Sequence, residues 1–151
     1  YASLGFVDEQ PIERWRADVT DEDLITDCED RGCPWRVDRV AFGTDRRRFL
    51  GALGMLRIRT DKGLITTREG VRAKYLGPCV ATNYELARAM VGFVLHNGPW
   101  FWDLLPEHAA ARELAEGFGF VRVRELVRMR LGPPIETRDD LVYAIAGFEA
   151  G

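Results

Sequence analysis

Cysteine, histidine and lysine are all scarce in this chain of 151 residues. The three cysteines, Cys28, Cys33 and Cys79, are too few and odd in number for a disulfide framework, so a reducing compartment, the cytoplasm, is expected. The pair Cys28-x4-Cys33 and two distant histidines do not make the four closely spaced ligands of a structural zinc site, and no metal is expected. No apolar run approaches the ~20 residues of a membrane-spanning helix. Tyr1 is followed by neither a basic nor an apolar leader region, so no secretory signal is expected. Basic excess is missing too: the formal net charge of −3 argues against a nucleic-acid partner.

What is present is a globular composition, 46% hydrophobic and 30% charged, enough for one domain with its own core. The charge is unevenly spread. Residues 1–45 carry 12 acids and 5 bases, and residues 46–75 carry 9 bases and 2 acids. Arg46-Arg47-Arg48 is the densest basic spot. It reads as a solvated helix face, as a site for an anion, or as a pairing surface for the acidic first segment.

Hydrophobic periodicity divides the chain into elements. Phe6, Ile12 and Trp15 alternate with charges as on a half-exposed strand, in which Pro11 requires an edge or a bulge. Thr20 is a helix cap with Asp23 behind it, and Arg31-Gly32-Cys33-Pro34 breaks the chain. Thr44 can cap a helix over residues 45–53 that Gly54 ends. A meander follows, with strands at 55–60, 64–68 and 71–76 and turns at Asp61-Lys62-Gly63 and Glu69-Gly70. Thr82 or Asn83 caps a helix over 84–96. Residues 100–105 form a short apolar strand, 107–117 a helix opened by Pro106, and 120–131 a long strand that puts Arg122 and Arg124 on one face and Val121 and Val123 on the other. A last short element spans 141–146. This order predicts an α+β fold with a mixed sheet.

One internal echo stands out. Tyr1-Ala2-Ser3-Leu4-Gly5-Phe6-Val7 is similar to Ala115-Glu116-Gly117-Phe118-Gly119-Phe120-Val121, as if two copies of one fold were present and the first were cut short. The second copy, His108-x-x-Ala111-x-x-Leu114-Ala115-x-x-x-Gly119-Phe120, resembles the helix-to-strand junction of the GNAT acyltransferase superfamily, Asn-x-x-Ala-x-x-Leu-Tyr-x-x-x-Gly-Phe. The spans 75–81 and 127–132 resemble the C-terminal GNAT-like domain of bacterial tandem-GNAT proteins. The resemblance implies a GNAT-like twisted mixed sheet with flanking helices. It assigns residues 1–17 to the tail of a preceding GNAT-like domain and 18–151 to a C-terminal one. It implies an acetyltransferase that moves acetyl from acetyl-CoA to a small-molecule or peptide amine, and an upstream GNAT domain or a second copy as protein partner.

Within that resemblance, Leu76, Gly77, Cys79, Val80, Ala81 and Asn83 stand where coenzyme A meets main-chain amides. His108 and Asp103 stand where protons are handled, and Tyr75, Trp100 and Trp102 where an acceptor pocket has walls. Each has a plainer reading: a surface histidine in a first helical turn, a carboxylate near a helix start, and packed core aromatics. Cys79 reads as an inert buried thiol, and Tyr84, like Tyr75, as packing or as a substitute acid. The departures are chemical. The stretch Val80–Arg88 has no glycine to let a backbone approach a pyrophosphate, and Glu85 at the helix start repels one. Ala115 replaces the family's proton-donating tyrosine, and His108 its asparagine. Two readings follow: an acetyl-CoA-dependent N-acetyltransferase, or a catalytically degenerate partner domain that shapes the acceptor site or a dimer interface. A slot between strands 75–80 and 100–104 would favour the first.

Overall fold

The computed structural model describes residues 2–20, 32–53 and 56–148. The helix expected after Thr20 and Cys28 lie outside the described residues. Strand β1 (Phe6–Val19) follows a 3₁₀ turn at Ala2–Leu4. Helices α1 (Trp35–Phe42) and α2 (Arg47–Leu53) lead to the meander β2 (Leu56–Thr60), β3 (Gly63–Arg68) and β4 (Lys74–Ala81). Then come α3 (Tyr84–Val94), β5 (Gly98–Leu104), α4 (Ala109–Gly117), β6 (Val121–Leu131) and the short β7 (Val142–Ala144). The strand order is β2-β3-β4-β5-β1-β6, with β7 paired to β4. The expected α+β mixed sheet is therefore observed.

Local chemistry explains most boundaries. The Asn83 side chain accepts the Leu86 amide at 2.9 Å and opens α3, whose Ala87, Met90, Val91 and Val94 face inward. At α2 the carboxylate of Asp45, not Thr44, takes the first amide, that of Arg47. Gly43 adopts φ +67° after α1, and a side chain there would overlap the Glu136 carbonyl.

Four expectations need correction. Helix α1 was not expected, because its apolar positions are separated by arginines. It forms by laying Val37, Ala41 and Phe42 onto the sheet. The strand read at 71–76 instead starts at Lys74 and continues through Gly77-Pro78 to Ala81. Strand β1 is half-exposed as expected, but it lies inside the sheet, between β5 and β6, rather than at an edge. It pairs with β5 only from Glu13 onward, so Pro11 sits where that side of the strand has no β5 partner and its missing N–H breaks no ladder. A register shift opposite Arg14 and Trp15 makes Val123 an extra residue in β6, which sends Arg122 and Arg124 to opposite faces. Residues 6–17 thus lie in the same sheet as the rest.

Two apolar layers enclose the sheet. One packs α3 and α4 against Trp15, Trp100, Trp102 and Phe120, and the other packs α1 and α2 against Ile12, Leu64, Val80 and Ile145. Among the described residues, no helix is long and apolar enough to cross a membrane.

Candidate functional site

Strands β4 and β5 run parallel, and they pair only over Lys74–Leu76 with Trp100–Trp102. Beyond that point they separate, which would leave two rows of buried backbone groups unpaired. The last strand of the chain fills the gap. Cys79 and Val80 of β4 pair with Ala144 and Val142 of β7, and on the other side Ile145 N–H donates to the Asp103 carbonyl of β5 at 2.8 Å. Trp102 Nε1 donates to the Tyr143 carbonyl at 2.8 Å. Residues 142–146 are all buried, with Val142 and Ile145 in one core layer and Tyr143 and Ala144 in the other. Burial also pushes the Tyr143 phenol above its ordinary pKa. Gly77 adopts φ +128° against the Ile145 carbonyl, and a methyl group there would overlap that oxygen. So the slot between 75–80 and 100–104 exists, and the chain itself occupies it.

The residues expected to carry chemistry are placed as follows. Asp103 is 2% exposed and holds Arg14 in a fork, Nε to Oδ1 and Nη2 to Oδ2, both at 2.7 Å. The Arg14 guanidinium in turn lies over the rings of Tyr75, Phe101 and Phe148. His108 stands at the start of α4, its Nδ1 3.0 Å from the Val142 carbonyl and its ring 4.6 Å from that of Tyr143. A carbonyl only accepts, so Nδ1 carries the proton and His108 steadies β7. Trp100 and Trp102 are fully buried, with indole N–H groups spent on the His96 and Tyr143 carbonyls. They are core residues, not walls of an open pocket: the alternating register that puts them beside Trp15 sends Phe101 to the other face. Tyr75 is half-buried, and its ring borders an open cavity.

Leu76, Gly77, Cys79, Val80 and Ala81 are buried in β4, and the edge along which a cofactor would lie carries Val142–Ile145. Asn83 spends its side chain on capping α3. With Glu85 also at the α3 start, the residues present do not fit an acetyl-CoA in this cleft. Arg46 and Arg47 pair with Asp38 and Asp45 of the acidic first segment, which matches the pairing-surface reading of that basic run. The Arg47 hydrogen bond holds the exposed Asp45 carboxyl down at about 2. Cys33 is exposed and Cys79 buried, and no group of metal-ligating side chains occurs among the described residues.

Two participants were not expected from sequence. Arg14 gave no signal, since its partner lies 89 residues away. The plug did leave one: Leu141 to Ala146 is a continuous apolar run between two aspartates and Gly147, the pattern of a strand covered on both faces.

The diverging strands, the helix that follows β4 and the Gly-Phe junction before β6 together identify the fold. The acetyltransferase (GNAT) domain family matches residues 35–144. A Pyrococcus horikoshii crystal structure, assigned to the acetyltransferases, is 26% identical, with a TM-score of 0.74 over 100% of this chain. The chain spans 55% of that protein's length. A GCN5-related N-acetyltransferase from Sphaerobacter thermophilus is 15% identical over 91% of this chain and 56% of its own, with a TM-score of 0.47. No protein of curated function matches. With most of its length accounted for by that domain, from α1 to β7, this chain belongs to the GNAT acetyltransferase family.

Proposed function

We propose that this chain is the partner half of an acetyltransferase, a GNAT-like domain that does not bind acetyl-CoA in its own cleft. The transfer of acetyl to a small-molecule or peptide amine then belongs to a second GNAT domain that this one packs against. The observation that carries this reading is the occupied cleft: Val142–Ile145 take the strand edges of β4 and β5 that a cofactor would need. The side chains agree with it. Asp103 is committed to Arg14, His108 to the plug, and Ala115 offers no proton. The open edge of the sheet at β6, with Val121, Val123, Val127 and Leu131 more than half exposed, supports a protein neighbour on that side.

Calorimetric titration of the chain with acetyl-CoA and with coenzyme A tests the reading. No binding heat is expected even at millimolar ligand. Micromolar binding, lost when Gly77 is replaced by a bulky residue in a variant that still folds, overturns it and returns the cleft to catalysis.

A further inference from the structure

The sheet face on the α1 and α2 side is not wholly covered. Over Arg14 of β1, Tyr75 of β4 and Phe101 of β5 it opens into a cavity of about 580 Å³. Its rim is strongly basic: Arg68 ends β3, Arg72 lies in the turn between β3 and β4, and Arg124 comes from β6. Glu69 is the one carboxylate among the lining residues. Arg14, one of the four arginines, is already neutralised by Asp103. Arg72 and Arg124 have no ion-pair partner among the described residues, and both are exposed.

We propose that this cavity binds the phosphate group of a small phosphorylated molecule. The reasoning is geometric. One carboxylate is saturated by one guanidinium fork, whereas a phosphate dianion presents oxygens in several directions and needs more than one. Arginines on two sides of one cavity meet that need. The floor is apolar and rigid: the Tyr75 and Phe101 ring centroids lie 5.5 Å apart, and Arg14 and Arg68 are braced against the Tyr75 ring at 5.1 and 4.2 Å. A low-dielectric floor strengthens the attraction between rim and anion. The volume exceeds that of a phosphate and leaves room for an organic portion against the rings. The site lies over the paired part of β4 and β5, at Tyr75 and Phe101, rather than in the gap that β7 fills, and does not depend on that gap's role.

Calorimetry at constant ionic strength, with phenyl phosphate, pyrophosphate and benzoate as probes, tests the proposal. Saturable binding of phenyl phosphate is expected, about tenfold tighter than benzoate. Arg72→Glu and Arg124→Glu each weaken it by roughly tenfold or more. Arg39→Glu on α1, which makes the same change in net charge, leaves it unchanged. An unaltered melting temperature confirms that the exposed variants fold. No saturable binding at millimolar phenyl phosphate, benzoate binding as tightly, or equal weakening by Arg39→Glu overturns the proposal.

Discussion

Replacing Asp103 by asparagine keeps the shape of the side chain and removes its charge. The carboxylate is 2% exposed, and Arg14 is 12% exposed. Both hydrogen bonds between them are 2.7 Å, so the substitution puts an amide N–H₂ where an arginine donor expects an oxygen. Breaking one side of a buried ion pair costs about 3–5 kcal/mol, because the remaining charge stays desolvated. Three ring faces soften that loss. Tyr75, Phe101 and Phe148 surround the guanidinium at 5.1, 4.9 and 4.0 Å, and each such contact offsets about 0.5–1 kcal/mol. The net expectation is a destabilisation of about 2 kcal/mol. Urea unfolding followed by circular dichroism reads it as a lower midpoint at unchanged slope, and thermal melts as a fall of roughly 6 °C. The double variant Arg14→Met with Asp103→Leu recovers most of the loss, since apolar groups of similar volume replace a buried pair at little cost. A change below about 0.5 kcal/mol in Asp103→Asn, the range of ordinary surface substitutions, refutes the buried-pair reasoning.

Two further outcomes follow from the geometry. Gly77→Ala is expected to destabilise by more than about 2 kcal/mol, combining an unfavourable positive φ with overlap on the Ile145 carbonyl, and hydrogen exchange should show the β7 amides losing protection first. The Asp45 carboxyl, held at about 2 by the Arg47 side-chain hydrogen bond, lies below its unfolded value of 3.8, so its stabilising contribution is present above pH 4 and is lost as pH falls toward 2. A carboxyl-detected NMR titration should find it there, and Arg47→Ala should raise it only part of the way to 3.8, since the backbone amide of residue 47 still donates to it.

Much of the fold was legible in the residues. The first two strands of the meander declared themselves through alternation and the turn at Asp61-Lys62-Gly63, and α3 through the Asn83 cap and its apolar stripe. Helix α1 was not legible, because Arg36 and Arg39 interrupt its apolar positions and its stability comes from packing onto the sheet. The long strand β6 was legible as a strand but not in its faces, since the extra residue at Val123 depends on the partner strand. Of the candidate site, the glycine-free stretch after β4 and the alanine at position 115 were visible as departures from an acetyltransferase. That Asp103 serves Arg14 and that His108 serves Val142 were not, whereas the core reading of the two tryptophans was open in the sequence and burial selected it.

The sequence by itself determined the local elements, the Gly-Phe junction and the missing cofactor-loop glycines, because caps, turns and periodicity act over a few neighbouring residues. Only the tertiary structure decided what lies between β4 and β5. Two strands that diverge must satisfy their buried backbone groups, and that demand is met by a segment more than 60 residues further along the chain than the β4 residues it pairs with.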